Sequence, residues 1–235
     1  DFSPIRAFRS PHHSSTKSSI FGGGSSNAKM GEVALSNNGV LFFDELPHFP
    51  SNILEALREP LEVNKILISR VNSKILYETK FIFVSAMNPC PCGNKLSSMK
   101  ECRCSDFEVQ RYKNRLSEPF LDRIDLYVVM NDSFSDNKNI VSSKELHESV
   151  IKAFIRQKNR GQKELNGKLN DKDIKKYCLL DSETSDILEK ARVNYSLSFR
   201  SINKVLKVAR TIADINENEF ITKSDLLKSL NFRKR

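Results

Sequence analysis

The hydrophobic pattern along the chain changes its period once. Up to about residue 131 apolar positions come in short continuous or alternating runs; beyond it they recur at steps of three and four. Gly39-Val40-Leu41-Phe42-Phe43 is a continuous apolar run that stops abruptly at Asp44-Glu45. Such a run reads as a central strand of a parallel sheet, buried on both faces. Phe81 to Ala86 predicts a second buried strand, and Ile124 to Val129 a third. Between the first two, Ser51 to Leu61 sets Ile53, Leu54, Leu57 and Leu61 on one face of a short helix, with Ser51 as its cap. Lys65 to Lys80 holds two alternating runs, Ile66-Leu67-Ile68 and Ile75-Leu76-Tyr77, around the polar tip Val71-Asn72-Ser73-Lys74. That is the signature of a hairpin.

The segment before about residue 36 is rich in Ser, Gly, His and Pro, and Phe21-Gly22-Gly23-Gly24-Ser25-Ser26-Asn27 predicts a flexible turn or loop. Asp132 to Asn139 is a polar linker. Helical periodicity follows over about 143–159, 170–178, 183–194, 201–214 and 222–231. In the fourth of these Ile202, Val205, Leu206, Ala209 and Ile212 form one buried face, with Ser198 or Ser201 capping its start. The pattern predicts an α/β part, residues 1–132, followed by an all-helical part, residues 133–235.

Charge sharpens that division. The chain carries 38 Lys and Arg against 29 Asp and Glu, a net charge of +9. Residues 1–132 hold a net +1 and residues 133–235 a net +8. A basic helical half fits a polyanion such as nucleic acid, and it equally fits a Lys-rich solvated surface. No stretch approaches 18 uninterrupted apolar residues and no signal-peptide pattern opens the chain. The expectation is a soluble cytoplasmic protein with no membrane partner.

Ligands of parallel sheets bind beyond the carboxyl ends of the strands, where Asp44 and Glu45 would emerge. Two carboxylates there suit a magnesium nucleotide: one holds the metal, the other orients or deprotonates a water. This is the Walker B pattern, though the same residues also occur where a core strand simply runs out into solvent. Four of the five cysteines form Cys90-Pro91-Cys92 and Cys102-Arg103-Cys104. Four thiolates can close a tetrahedral structural zinc site, the alternative being reduced thiols on a loop. Cys178, isolated in a helix, reads as core. His12-His13 has no third ligand nearby in sequence and reads as loop packing or hydrogen bonding.

Taken in order, Gly39 to Glu45, Phe81 to Asn88, Leu121-Asp122-Arg123-Ile124-Asp125 and Ser198-Phe199-Arg200 resemble Walker B, sensor 1, arginine finger and sensor 2 of an AAA+ ATPase. Longer strings, among them Phe8-Arg9-Ser10-Pro11-His12-His13 and Ala86-Met87-Asn88-Pro89-Cys90-Pro91-Cys92-Gly93, resemble the bacterial magnesium-chelatase-like group of which the competence protein ComM is typical. The resemblance covers essentially the whole chain. It implies an incomplete AAA+ parallel-sheet core with β-hairpin insertions, followed by a helical lid. It also implies ATP and Mg2+ as cofactors.

By the same resemblance Asp44 holds magnesium, Glu45 acts on the attacking water, and Asn88 orients that water or touches the γ-phosphate. Arg123 serves the neighbouring subunit's site, so a homo-oligomer, a hexamer, is implied; Arg200 contacts phosphates in cis. The hairpin falls where related ATPases line a central pore, so Arg70 and Lys74 contact a nucleic-acid backbone or are ordinary solvated turn residues. The loop from Ser19 to Gly31 is placed as a second pore insertion. The Walker A loop, G-x-x-x-x-G-K-[ST], is absent; the chain is expected to be a piece of a longer protein and to bind ATP poorly by itself. Three functions stay open: a DNA motor similar to a branch-migration helicase of recombination and transformation, a chelatase-type subunit remodelling a protein for metal insertion, and an ATP-independent scaffold. The intact Asp44-Glu45 and Arg123 argue against the last.

Overall fold

The computed structural model describes residues 5–23, 29–69, 74–130 and 141–233. The chain divides into two compact units, residues 1–123 and 124–235. Residues 124–130 therefore go with the helical unit.

In the first unit β1 (Phe8–Arg9) leads to a short helix α1 (Lys17–Phe21), capped by Thr16, whose hydroxyl accepts the Ser19 N–H. A small antiparallel pair, β2 (Gly22–Gly23) and β3 (Lys29–Met30), precedes α2 (Glu32–Leu35) and the central strand β4 (Val40–Phe43). A tight turn at Leu46–His48 follows, then α3 (Ser51–Ala56) and α4 (Arg58–Val63). The predicted single helix is thus broken at Leu57. Pro60 supplies the reason: it lacks an N–H, and its ring crowds the carbonyl four residues earlier. Pro50, not Ser51, occupies the cap position.

The hairpin forms as predicted from β5 (Lys65–Ser69) and β6 (Lys74–Glu78), with Ile66 opposite Tyr77. Its tip, with Arg70, lies outside the described residues, as does the linker 132–139. Strand β7 (Ile82–Ser85), then α5 (Asp106–Lys113) and α6 (Glu118–Leu121), complete the unit.

The sheet order is β1-β4-β7, all parallel. Leu41 and Phe43 point into the core, where Phe43 stacks on Phe49 at 4.1 Å and meets Phe83 edge-on. Val40 and Phe42 are only half-buried, and Ile82 is 66% exposed. The expectation of strands buried on both faces is therefore corrected: among the described residues one face is covered.

A further correction concerns Ile124 to Val129, which is no strand. Strand propensity gives a strand only where a neighbour's peptide groups lie opposite. Here the Tyr127 N–H donates to the Phe232 carbonyl and Arg233 donates to the Ile124 carbonyl. Those contacts strap an irregular segment to the end of the helical unit.

That unit contains α7 (Ser143–Asn159), α8 (Asp171–Tyr177), α9 (Ser182–Asn194), α10 (Phe199–Ile215) and α11 (Lys223–Asn231), close to the predicted spans. Val205, Ala209 and Ala213 of α10 are fully buried against Ile221 and Leu226, with Cys178 in the same core. Beneath them Asp214, also fully buried, accepts from Arg210 at 3.0 Å, from Asn166 at 2.8 Å and from Arg160. Arg210 Nη1 donates to the Glu219 carbonyl and Nη2 to the Asn218 carbonyl, both at 2.8 Å, while its buried Nε has no hydrogen-bond partner among the described residues. A buried charge of this kind is tolerable only when opposite charge and hydrogen bonds answer it, as Arg160 and Arg210 answer Asp214.

Gly39 sets the entry to β4. A Cβ there would lie 2.0 Å from the Ala7 carbonyl oxygen, while the Val40 N–H needs that same carbonyl at 2.8 Å. Gly39→Ala is expected to displace β1 and cost about 1–3 kcal/mol in urea unfolding. Gly167→Ala, where a Cβ meets nothing within 4 Å, should change stability by under about 0.5 kcal/mol.

Candidate functional site

Both carboxylates leave the carboxyl end of the central strand and are exposed. The ladder fixes what stands beside them. Phe43 is opposite Ser85, the Ala86 N–H donates to the Phe43 carbonyl at 2.9 Å, and the Leu46 N–H donates back to the Ala86 carbonyl at 3.0 Å. Asn88, two residues on, therefore emerges on the same rim and is exposed there. The ladder thus sets Asp44, Glu45 and Asn88 at neighbouring strand ends.

Glu45 adopts a left-handed backbone, φ 50° and ψ 44°. The Asp44 carboxylate accepts the Glu45 N–H at 2.8 Å, and the His48 N–H closes the turn on the Glu45 carbonyl at 2.8 Å. His48 thereby comes within 3.9 Å of Glu45 Oε2 through its Nδ1. His13 Nε2 approaches the same oxygen to 3.5 Å. The sheet register explains the second approach. Phe8 pairs with Val40 and Arg9 with Leu41, an offset of 32 residues that carries His13 alongside Glu45. Sequence alone reads His12-His13 as loop packing or hydrogen bonding with no third ligand nearby; the chain brings Glu45 and His48 to His13 from β4 and the turn after it. Only the Glu45-x-x-His48 spacing signalled them in sequence. His12 stacks on His13 with ring centroids 4.1 Å apart, and its Nδ1 shares a 2.8 Å hydrogen bond with Ser14.

Arg123 follows α6 and is engaged within its own unit. Its Nε lies 3.1 Å from Glu62 of α4, and its Nη1 donates to the Pro119 carbonyl at 2.7 Å. Arg200 is the second residue of α10, exposed, just beyond the Ser198 cap that accepts the Ser201 N–H at 3.1 Å. It belongs to the helical unit, whereas the acid pair belongs to the other. Lys74 opens β6 and is exposed.

The four clustered thiols converge directly after Asn88. Cys90 Sγ lies 3.5 Å from Cys92 Sγ and 3.7 Å from Cys102 Sγ, and Cys92 lies 3.7 Å from Cys102. All four sulfurs, Cys104 included, fall within 4.8 Å of one another, with Cys90 fully buried and none in a disulfide. A tetrahedron with zinc–sulfur bonds of about 2.3 Å has edges of about 3.8 Å, so the pocket is already near the size an ion requires. Without an ion the thiols compete for protons. The Asn94 and Arg103 backbone N–H groups stabilise the Cys92 thiolate and bring it down to about 6. A backbone N–H at Cys92 favours the Cys104 thiolate too, but burial and the neighbouring sulfurs win and push it up to about 12. Helix α5 begins right after the cluster, capped by Ser105, and delivers Tyr112 beneath the rim. Burial raises the Tyr112 phenol, opposed by the Asn88 backbone N–H that donates to it.

Comparison with known proteins adds lineage to this geometry. Residues 2–138 match the family model described as magnesium chelatase, subunit ChlI, and residues 141–233 match its C-terminal counterpart. The chain is 42% identical over 233 residues to YifB of Escherichia coli K12, and 41% identical over 236 residues to YifB of Salmonella typhimurium. It is 40% identical over 233 residues to the competence protein ComM of Haemophilus influenzae. Each alignment takes in 97% of this chain but 45% of the relative, so the chain spans about half the length of the curated relatives it matches.

In metal-free protein at pH 7, iodoacetamide is expected to label Cys92 ahead of Cys90, Cys102 and Cys104. That preference should fade as pH falls through about 6, where the Cys92 thiolate takes up its proton. Peptide mapping by mass spectrometry reads this out, and equal labelling of all four would contradict the described hydrogen bonding.

Proposed function

Since the chain belongs to the magnesium chelatase ChlI family, we propose that it forms the Walker B, sensor and lid part of an AAA+ ATPase, a ring motor that remodels or translocates DNA. The observation that carries this reading is the rim itself. Two exposed carboxylates end a central parallel strand, and the hydrogen bonds between Ala86 and residues 43 and 46 hold the Asn88 loop beside them. Asp44 is an exposed hard oxygen donor at an open rim, which suits Mg2+ and not a soft metal. The ion would neutralise charge on the phosphates. Glu45 then acts on the attacking water, whose proton is otherwise held too tightly to leave. Asn88 orients that water without adding charge.

Arg123 neutralises charge developing on a neighbouring subunit's phosphoryl group, exchanging Glu62 for phosphate as a ring of copies, a hexamer, assembles. Arg200, at the first turn of α10, couples lid position to nucleotide. The net +8 of residues 133–235 and exposed Lys74 at the hairpin supply backbone contacts for DNA. The cysteine cluster takes a structural zinc ion, and its sulfurs pin the loop that carries Asn88. No helix among the described residues is long and apolar enough to cross a membrane.

The family description favours a second reading, in which the same motor remodels a protein partner for metal insertion. Branched DNA separates the two. A longer protein that joins this chain to a Walker A region should hydrolyse ATP severalfold faster with branched DNA than without; no stimulation would favour the protein partner. This chain alone should show no turnover, because its sequence holds no G-x-x-x-x-G-K-[ST] loop to cradle the phosphates. Robust turnover that Glu45→Gln abolishes would refute that expectation. Protein purified without chelator should carry zinc, and Cys90→Ser with Cys102→Ser should release it; under about a tenth of an equivalent in the unaltered chain would exclude a structural site.

A further inference from the structure

The roles above use no imidazole, and two of them, His13 and His48, meet the Glu45 carboxylate. We propose that His13, Glu45 and His48 form a binding site for a divalent transition-metal ion of the zinc class, separate from the cysteine cluster and from the Asp44 position. One nitrogen from each histidine and one Glu45 oxygen lie within 4.8 Å of one another. Bonds of about 2.0–2.2 Å place neighbouring ligand atoms roughly 3.0–3.5 Å apart, so the observed 3.5 and 3.9 Å separations close with small side-chain rotations.

The backbone presets this arrangement. His13 is placed by the β1–β4 register, and His48 by the turn that starts at Glu45. The rings are also held from outside, since Tyr112 meets His48 edge-on at 6.2 Å and Phe49 meets His13 at 6.4 Å. Packing of that kind fixes ring planes, which is what an outer layer around a metal site does.

Donor chemistry selects the ion. Two imidazoles and one carboxylate favour Zn2+, Co2+ or Ni2+ over Mg2+, which prefers oxygen alone. The three side chains keep 31%, 45% and 51% of their surface exposed, so the remaining coordination positions stay open to water. A consequence rests on the proposed role of Glu45: a carboxylate held by such an ion is withdrawn from the attacking water, making the ion an inhibitor of hydrolysis.

Zinc content after equilibrium dialysis against buffered free Zn2+ tests the site without any turnover. The wild-type chain should hold about one equivalent more than either His48→Ala or His13→Ala. His12→Ala, which removes a stacking ring but no ligand, should retain that equivalent. Circular dichroism checks that the variants fold, and Co2+ spectra free of sulfur charge-transfer bands should accompany the extra equivalent. Equal zinc content in wild type and His48→Ala, or loss of all metal on alkylating the cysteines alone, would overturn the site. If binding is confirmed while zinc fails to slow hydrolysis by a turnover-competent longer protein, the site stands and the reading of Glu45 falls.

Discussion

The structure turns on two backbone hydrogen bonds at the end of the central strand. The Ala86 N–H donates the first to the Phe43 carbonyl, and the Ala86 carbonyl accepts the second from the Leu46 N–H. Together they lock the turn carrying Asp44 and Glu45 to the loop carrying Asn88, across a parallel ladder whose evenly spaced bonds tolerate no slip. A slip of one residue would turn Leu41 and Phe43 away from the core, so the same packing that buries Phe43 against Phe49 and Phe83 also fixes the rim chemistry. Stability and site geometry here share one cause.

Around that rim the chain places groups of very different chemical hardness. Asp44 offers oxygen, His13 and His48 offer nitrogen, and the cysteine cluster offers sulfur, all anchored within one unit. The sulfur cluster follows Asn88 by two residues, so anything that orders it also orders the end of β7. Helix α5 extends the connection, because Tyr112 meets both the Asn88 backbone and the His48 ring. The helical unit is organised differently, around the fully buried Arg210 and Asp214, whose charges are answered by carbonyls and side chains from three directions.

Local patterns were legible in sequence and non-local ones were not. The hairpin and the five helices of the second unit follow from period alone, a signal carried by neighbouring residues. The central strand, its acidic end and the Cys-x-Cys pairs were also visible. Ile124 to Val129 misled because its composition is that of a strand, yet pairing is a property of the neighbour. Pro60 broke a helix that apolar spacing alone would continue. At the site, His13 joins Glu45 through a register 32 residues long, and Glu62 reaches Arg123 from a helix far upstream. Neither pairing leaves a periodic trace. Asp44, Glu45 and Asn88 could be placed beforehand only because all three sit at strand ends, where topology and chemistry coincide.

The left-handed backbone at position 45 carries a conformational cost. Glutamate is an awkward occupant of that region, whereas Asn or Gly would rest there with less strain. Drift toward a more relaxed turn would therefore discard the very carboxylate the rim presents. On the proposed role of Glu45, backbone ease and chemistry favour opposite residues at this position.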